Sequence, residues 1–102
     1  MASDKAFLDF ILERLSLLEE VAYRPMMKEY IIYYRGKVIG GIYDDRFLIK
    51  PTAAALRLMP DAAFVSPYEG AKKMLAVSEV EDKEFLKELF DAVYEELPAR
   101  KK

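Results

Sequence analysis

Apolar and polar positions alternate along Tyr30–Lys50, and two turn signals divide this stretch into three short runs. The turn signals are Arg35–Gly36 and Asp44–Asp45, because glycine and aspartate tolerate the positive backbone angles that two-residue hairpin turns need. The pattern therefore predicts a three-stranded antiparallel meander. The turns also set its register, with the cross-strand pairs Tyr34 with Lys37 and Tyr43 with Arg46.

This register assigns the side chains of the meander to two faces, because successive side chains of a strand point to opposite sides. The face that we predict to lie in the core carries Ile31, Tyr33, Val38, Gly40, Ile42, Phe47 and Ile49. The other face, which we predict to be open, carries Tyr30, Ile32, Tyr34, Lys37, Ile39, Gly41, Tyr43, Arg46, Leu48 and Lys50. We expect any functional surface of the sheet to lie on this open face.

Helical spacing of apolar residues predicts a first helix that begins after an N-cap at Ser3 and runs to about Leu18. The next stretch, Val21–Met27, contains Pro25, which cannot donate a backbone hydrogen bond. That stretch is therefore predicted to be an edge strand or a loop that leads into the meander.

The chain after the meander is predicted to form a short helix and then a hairpin. Thr52 caps the helix, which covers Ala53–Met59 and is stopped by Pro60. The hairpin pairs Phe64–Val65 with the apolar run Met74–Val77.

A final amphipathic helix is capped by Ser78 or Asp82 and ends at Pro98. The resulting order of elements is α-β-β-β-α-β-β-α. A mainly antiparallel sheet with helices on one face is the simplest arrangement that buries the apolar sides of these elements. We therefore predict a two-layer α+β fold.

Length and composition favour one ordinary globular domain. The chain has 102 residues, of which 53% are hydrophobic and 33% are charged, so we expect residues 1–102 to share one core. No apolar run approaches the ~20 residues that cross a bilayer, and the amino terminus lacks the pattern of a secretory signal. We expect a cytoplasmic protein that makes no membrane contact.

Charge is distributed unevenly along the chain. Residues 22–50 carry three more basic than acidic side chains, whereas residues 1–21 and 78–102 each carry three more acidic than basic ones. A basic sheet beside acidic helices can attract an acidic partner or the helix of a second copy, and an ordinary solvated mixture of charges is the alternative. The net charge of −2 argues against direct DNA binding.

Most catalytic and metal sites need residue types that this sequence lacks. It contains no histidine and no cysteine, which removes the usual general base, the usual zinc ligands and every Ser-His or Cys-His pair. The carboxylate pairs Asp44–Asp45 and Glu95–Glu96 fall in a turn and on a solvated helix face, so neither forms a sheltered acid–base pair. We expect no enzyme activity, no cofactor and no metal.

One function that remains is a protein-interaction module. Tyrosines and aliphatic side chains on an open sheet face, with cations at the rim, can dock a second copy to form a homodimer or an unidentified protein partner. The predicted contact residues are Tyr30, Tyr34, Lys37, Tyr43, Arg46 and Leu48. The alternative for the tyrosines is ordinary β propensity on a partly covered face.

The other function is the binding of a small anionic ligand, since basic groups and phenols near a glycine turn can surround a phosphate or a carboxylate. The predicted ligand-binding residues are Arg24, Lys50, Tyr68 and Lys72, with Tyr30 as a further hydrogen-bond donor. The alternative for the lysines is that they serve only solubility.

Two runs of the sequence carry a family pattern, VAYRPMMKEYIIYYRGKVIGGIYDDRFLIKPT and PYEGAKKM, and an acidic helix follows them. The matching positions are Arg24, Met26, Glu29, Tyr30, Gly36, Lys37, Lys50, Tyr68, Gly70 and Lys72. Together they resemble the N-terminal domain of the TfoX/Sxy competence regulators. The resemblance implies a fold similar to those of secretion chaperones, and a role in transcriptional regulation through protein contacts.

The sequence also departs from this family pattern at the turns. Met27 and Lys28 stand where the family usually has Phe-Gly, and Arg35 replaces an aspartate. A second domain follows in the full-length regulators, so the resemblance is to stand-alone versions of the N-terminal domain.

Overall fold

The computed structural model describes residues 5–27 and 29–97, and in these residues three helices and six strands follow in the order α-β-β-β-β-α-β-β-α. The elements are α1 (Lys5–Arg14), β1 (Val21–Met26), β2 (Glu29–Tyr34), β3 (Lys37–Tyr43), β4 (Arg46–Ile49), α2 (Ala53–Leu58), β5 (Phe64–Val65), β6 (Met74–Ala76) and α3 (Lys83–Glu96). The predicted α+β class is confirmed. The stretch that contains Pro25 is a strand, so the predicted meander gains a fourth strand.

The strands form an antiparallel sheet in the order β1-β2-β3-β4-β6-β5. β1 lies at one edge and pairs with β2, which explains how it accommodates Pro25: one side of an edge strand needs no backbone partner within the sheet. β5 forms the other edge and pairs with β6, with Phe64 opposite Leu75. The predicted second hairpin is therefore confirmed.

Both predicted turns of the meander are present. The φ angles of the turn residues are positive, at 52° for Arg35, 85° for Gly36, 54° for Asp44 and 58° for Asp45. The pairs that flank the turns are those predicted, Tyr34 with Lys37 and Tyr43 with Arg46. Local sequence therefore determines the register at each turn.

A β-bulge in β3 reverses the predicted orientation of β2. Uninterrupted pairing from the first turn would place Ile32 opposite Ile39, but Ile32 lies opposite Gly40, and the register shifts between Ile32 and Tyr33. Ile39 is the extra residue of β3. Because side chains alternate with a period of two, one extra residue inverts the faces of the two strands relative to each other.

The predicted core face is consequently correct for β4 and for β3 from Gly40 onward, and wrong for β2 and the start of β3. The residues on the helix side, as predicted, are Gly40, Ile42, Phe47 and Ile49. The residues predicted for the core that instead lie half-buried on the opposite face are Ile31, Tyr33 and Val38. The residues predicted to be open that are instead buried in the core are Ile32, Tyr34 and Ile39.

The three helices pack on the same face of the sheet and share a hydrophobic core with it. The fully buried helical residues of this core are Leu8, Ile11, Ala55, Leu86, Leu89, Phe90 and Val93. The ring of Phe90 lies 5.8 Å from the ring of Tyr34 and 6.0 Å from the ring of Phe47, measured between centroids. These rings join α3 to two strands, and each buried aromatic side chain removes a large apolar area from water.

The first helix ends earlier than predicted. α1 ends at Arg14, and the backbone N–H of Leu18 bonds to the carbonyl of Leu15, three residues back, which is the spacing of a tighter turn. Leu15 is nevertheless 2% exposed and Leu18 packs against the core. The apolar spacing therefore predicted correctly that these residues are buried, although the helix ends before them. The predicted cap Ser3 lies outside the described residues.

The other helices begin at side-chain caps. The hydroxyl of Thr52 accepts a 3.2 Å hydrogen bond from the N–H of Ala55, which confirms the predicted cap of α2. Asp82, one of the two caps considered for α3, accepts a 3.1 Å bond from the N–H of Phe85. The predicted end at Pro98 lies outside the described residues.

Candidate functional site

The six residues predicted to form an interaction surface do not lie together. The bulge divides them between two faces: the helix side carries Tyr30, Tyr34 and Lys37, and the opposite side carries Tyr43, Arg46 and Leu48. Tyr34 is 2% exposed, Tyr43 7% and Leu48 0%. The prediction that these side chains form one open wall is therefore wrong, because a partner cannot reach three of them.

Tyr34 lies beneath α3. Its ring packs edge-on against the rings of Phe90 and Tyr94, and its hydroxyl donates to a carboxylate oxygen of Asp91 at 2.5 Å. Burial, together with the hydrogen bond to Asp91, raises the pKa of Tyr34 to about 12. Tyr34 is therefore a neutral structural donor.

Lys37 binds the C-terminal end of α3. Its ammonium group donates to the carbonyl oxygens of Leu97 at 3.0 Å and Tyr94 at 3.4 Å, and lies 4.2 Å from the centroid of the Tyr94 ring. A cation at a helix C-terminus satisfies carbonyls that have no partner within the helix. Tyr30, also on this side, is half-buried and packs against Tyr23, with ring centroids 5.9 Å apart.

On the face away from the helices, the ring of Tyr43 packs between Gly41 and the loop that carries Tyr68. A Cβ atom added to Gly41 would fall 2.7 Å from the Tyr43 ring, and the ring of Tyr68, from the loop 66–73, lies 6.4 Å away between centroids. Burial is the main cause that raises the pKa of Tyr43. Arg46 donates to the carbonyl of Tyr43 at 3.2 Å, so it too is occupied within the fold.

A cleft of about 700 Å³ opens beside these tyrosines, and we call it the lysine cleft. Its lining comes from four parts of the chain: β3 with Tyr43, residues 50–52, residues 67–74, and the end of α3 with Glu96. Three lysines take part, Lys50, Lys72 and Lys73. The long separation of these segments along the chain means that the fold, not a local motif, assembles the cleft.

The lysine cleft brings together three of the four residues predicted for anion binding, namely Lys50, Tyr68 and Lys72. Arg24 is exposed on the edge strand β1 and does not line the cleft. Sequence reasoning missed Lys73 and Glu96. Lys73 could have been found because it is adjacent to Lys72. Nothing in the local sequence linked Glu96 to the distant segments 50–52 and 67–74.

Among the described residues, no ion pair involves any of the three lysines of the cleft. Within residues 5–27 and 29–97, none of them makes a side-chain hydrogen bond either. One carboxylate, Glu96, also lines the cleft; one of its oxygens accepts a 2.8 Å hydrogen bond from the N–H of Ala54 at the start of α2, and its negative charge offsets one of the three cations. The cleft is therefore a concave site with a positive rim.

Other kinds of site find no support in the described part of the chain. No group of three or more potential metal-ligating side chains occurs among these residues. The described helices also include none that is long and apolar enough to cross a membrane.

Comparison with known proteins identifies a relative in Spirochaeta aurantia. It is described as an uncharacterized 12.7 kDa protein in the trpE 5′ region, and it is 30% identical over 102 residues, which cover 99% of this chain and 89% of the relative. The chain belongs to the family of that protein. No family model matches the chain, and no solved structure matches it. The resemblance to the competence regulators therefore stays a prediction.

Proposed function

We propose that this protein binds a small organic anion in the lysine cleft. The observation that carries the proposal is the grouping of Lys50, Lys72 and Lys73 around one concave site, with no ion-pair partner for any of them among the described residues. A carboxylate or phosphate group in the cleft would accept charge-assisted hydrogen bonds from these ammonium groups.

Several lysines elsewhere in the described chain are arranged differently. Ion pairs join Lys5 to Asp9 at 3.3 Å, Lys83 to Glu13 at 2.8 Å and Lys87 to Asp91 at 3.1 Å. Each of those cations therefore has a carboxylate within ion-pair distance. In the described part of the chain no such pairing involves Lys50, Lys72 or Lys73, and a bound anion would supply a counter-charge for them.

Burial reduces the support for a docking wall built on the predicted tyrosines. A partner could reach Tyr34, Tyr43 or Leu48 only if helices or loops moved away from the sheet. A role in transcription and a protein partner stay predictions of the family resemblance, and a cytoplasmic location stays a prediction that cell fractionation tests.

Thermal unfolding in the presence of anions tests the proposal. The wild-type protein is heated with sodium phosphate, citrate or benzoate, and with sodium chloride at equal ionic strength. A ligand at about 100 times its Kd stabilises a protein by about 2.7 kcal/mol, which raises Tm by at least about 10 °C in a domain of this size. Lys50→Ala, Lys72→Ala and Lys73→Ala should each reduce the rise that the best anion produces.

Arg24→Ala and Arg57→Ala are the matched controls, because each removes one exposed cation that does not line the cleft. Both controls should keep the wild-type rise in Tm. The proposal fails if no anion exceeds the effect of chloride, or if the control variants lose the rise as completely as the cleft variants do. It also fails if the cleft variants keep the full rise, because kosmotropic anions such as phosphate stabilise proteins by exclusion from the surface without binding a site.

A further inference from the structure

We infer that the anion bound by the lysine cleft carries a planar aromatic ring, which stacks on Tyr68. This inference rests on the proposed function and adds the chemical class of the ligand. Three features of the cleft support it: its apolar walls, the placement of Tyr68, and the position of the lysines relative to that ring.

The walls between the lysines are largely apolar. Besides the two tyrosines, the cleft is lined by Val38, Pro51, Pro67, Met74 and Leu97. An inorganic ion loses hydration beside such walls and makes no favourable contact with them, whereas an organic group buries apolar surface there. The volume of about 700 Å³ also lies within the range of roughly 300–1,000 Å³ that is typical of small-molecule sites.

Tyr68 is a large aromatic side chain at the cleft that is 60% exposed. Its ring contacts that of Tyr43, with a centroid distance of 6.4 Å and an angle of 55° between the ring planes. Its carbonyl oxygen accepts a 3.1 Å hydrogen bond from the N–H of Ala71, which closes the turn at Gly70. The turn positions the backbone of Tyr68, and its ring, which contacts one neighbouring ring and still has free surface, offers a face on which a second ring can stack.

The cations and the ring occupy the same site. Lys72 and Lys73 follow Tyr68 on the same loop, and Lys50 reaches the cleft from the segment after β4. A ligand whose ring stacks on Tyr68 can therefore present a carboxylate or phosphate group to the ammonium groups. An aliphatic anion would meet the same lysines but would lack the π face that complements the tyrosine.

Matched pairs of ligands test this inference by isothermal titration calorimetry. The pairs are benzoate with cyclohexanecarboxylate, and phenyl phosphate with cyclohexyl phosphate, so that each pair differs in the aromaticity of its ring. We expect the aromatic member of the better-binding pair to bind about fivefold more tightly. The pair that binds more tightly shows whether the charged group is a carboxylate or a phosphate.

Two variants of Tyr68 test whether the preference for an aromatic ligand depends on its ring. Tyr68→Phe keeps the ring and should keep the fivefold ratio, whereas Tyr68→Leu keeps an apolar side chain and should bring the ratio close to one. Lys72→Ala should weaken both members of a pair equally.

The outcomes separate this inference from the proposed function. Equal affinities within both pairs, with binding still dependent on the lysines, would overturn the aromatic ligand and leave anion binding intact. Absence of lysine-dependent binding for all four compounds, and for citrate titrated in the same way, would overturn both. The ratio in wild-type protein needs no variant, so a variant that failed to fold would still leave a decisive result.

Discussion

The hydroxyl group of Tyr34 donates a 2.5 Å hydrogen bond to Oδ1 of Asp91, which joins the end of β2 to α3. The other carboxylate oxygen of Asp91 pairs with the ammonium group of Lys87 at 3.1 Å. Burial raises the pKa of Asp91, but the bonds from Tyr34 and Lys87 outweigh burial and hold that pKa below its usual value. The pair therefore consists of a neutral phenol and a charged carboxylate at neutral pH.

Replacement of this phenol should reduce the loss of stability at alkaline pH. The pKa of Tyr34 rises from 10.0 to about 12 on folding, so its contribution is complete below pH 10 and is lost as the pH rises toward 12. Tyr34→Phe lacks this contribution, and its free energy of unfolding should fall less steeply over that window. Urea titrations at a series of pH values measure the difference. A Tyr34→Phe curve parallel to the wild-type curve contradicts the assignment.

Truncation of neighbouring tyrosines tests the orientation of β2. Tyr34→Ser should reduce the free energy of unfolding by about 4 kcal/mol, because it leaves a cavity beside Phe90 and removes the bond to Asp91. Tyr33→Ser, on a half-buried position of the other face, should cost about 1 kcal/mol or less. Chemical denaturation of both variants gives the two values. Similar losses, or a larger loss for Tyr33→Ser, would mean that the bulge is misplaced.

Gly40, which follows the bulge residue Ile39 in β3, should tolerate no side chain. A Cβ atom on Gly40 would collide with the carbonyl oxygen of Leu48 and lie 2.9 Å from the Cα atom of Ile49, both backbone atoms of β4. Gly40→Ala should therefore destabilise the fold by about 3 kcal/mol.

Gly70 supplies the control for that variant. It has a φ of 87° and open space where a Cβ would lie, so Gly70→Ala should cost only the backbone strain, about 1 kcal/mol. Thermal melts compare the two variants, and equal changes in Tm would count against a close approach of β3 and β4 at Gly40.

The start of α3 can be tested with the two residues that sequence alone left as alternative caps. Asp82 accepts the bond from the N–H of Phe85, whereas Ser78 lies four residues before it and is exposed. Asp82→Ala should cost about 1 kcal/mol, and Ser78→Ala should be close to neutral. Urea denaturation distinguishes them, and a reversed order would move the helix start upstream.

The candidate site shows how far sequence reasoning reaches. Lys50, Tyr68 and Lys72 could be named because basic and phenolic groups beside a glycine turn suggest anion binding, and the fold brings them into one cleft. Arg24 fits the same chemistry but lies on the far edge of the sheet, on β1, which two strands separate from β4. Residue type indicates which groups can bind an anion, whereas the order of strands determines which of them meet.

The sequence by itself determined that three helices form, that five of the six strands form and where both turns of the meander lie, because these depend on residue types within a few positions; it left β1 as a strand or a loop and placed the end of α1 too late. Tertiary structure decided which face of β2 is buried and which residues surround the lysine cleft. The bulge at Ile39 depends on pairing between two strands, and the burial of Ile32 and Tyr34 beneath the helices goes with that pairing. Since strand side chains alternate with a period of two, that single residue exchanged the inner and outer faces of β2.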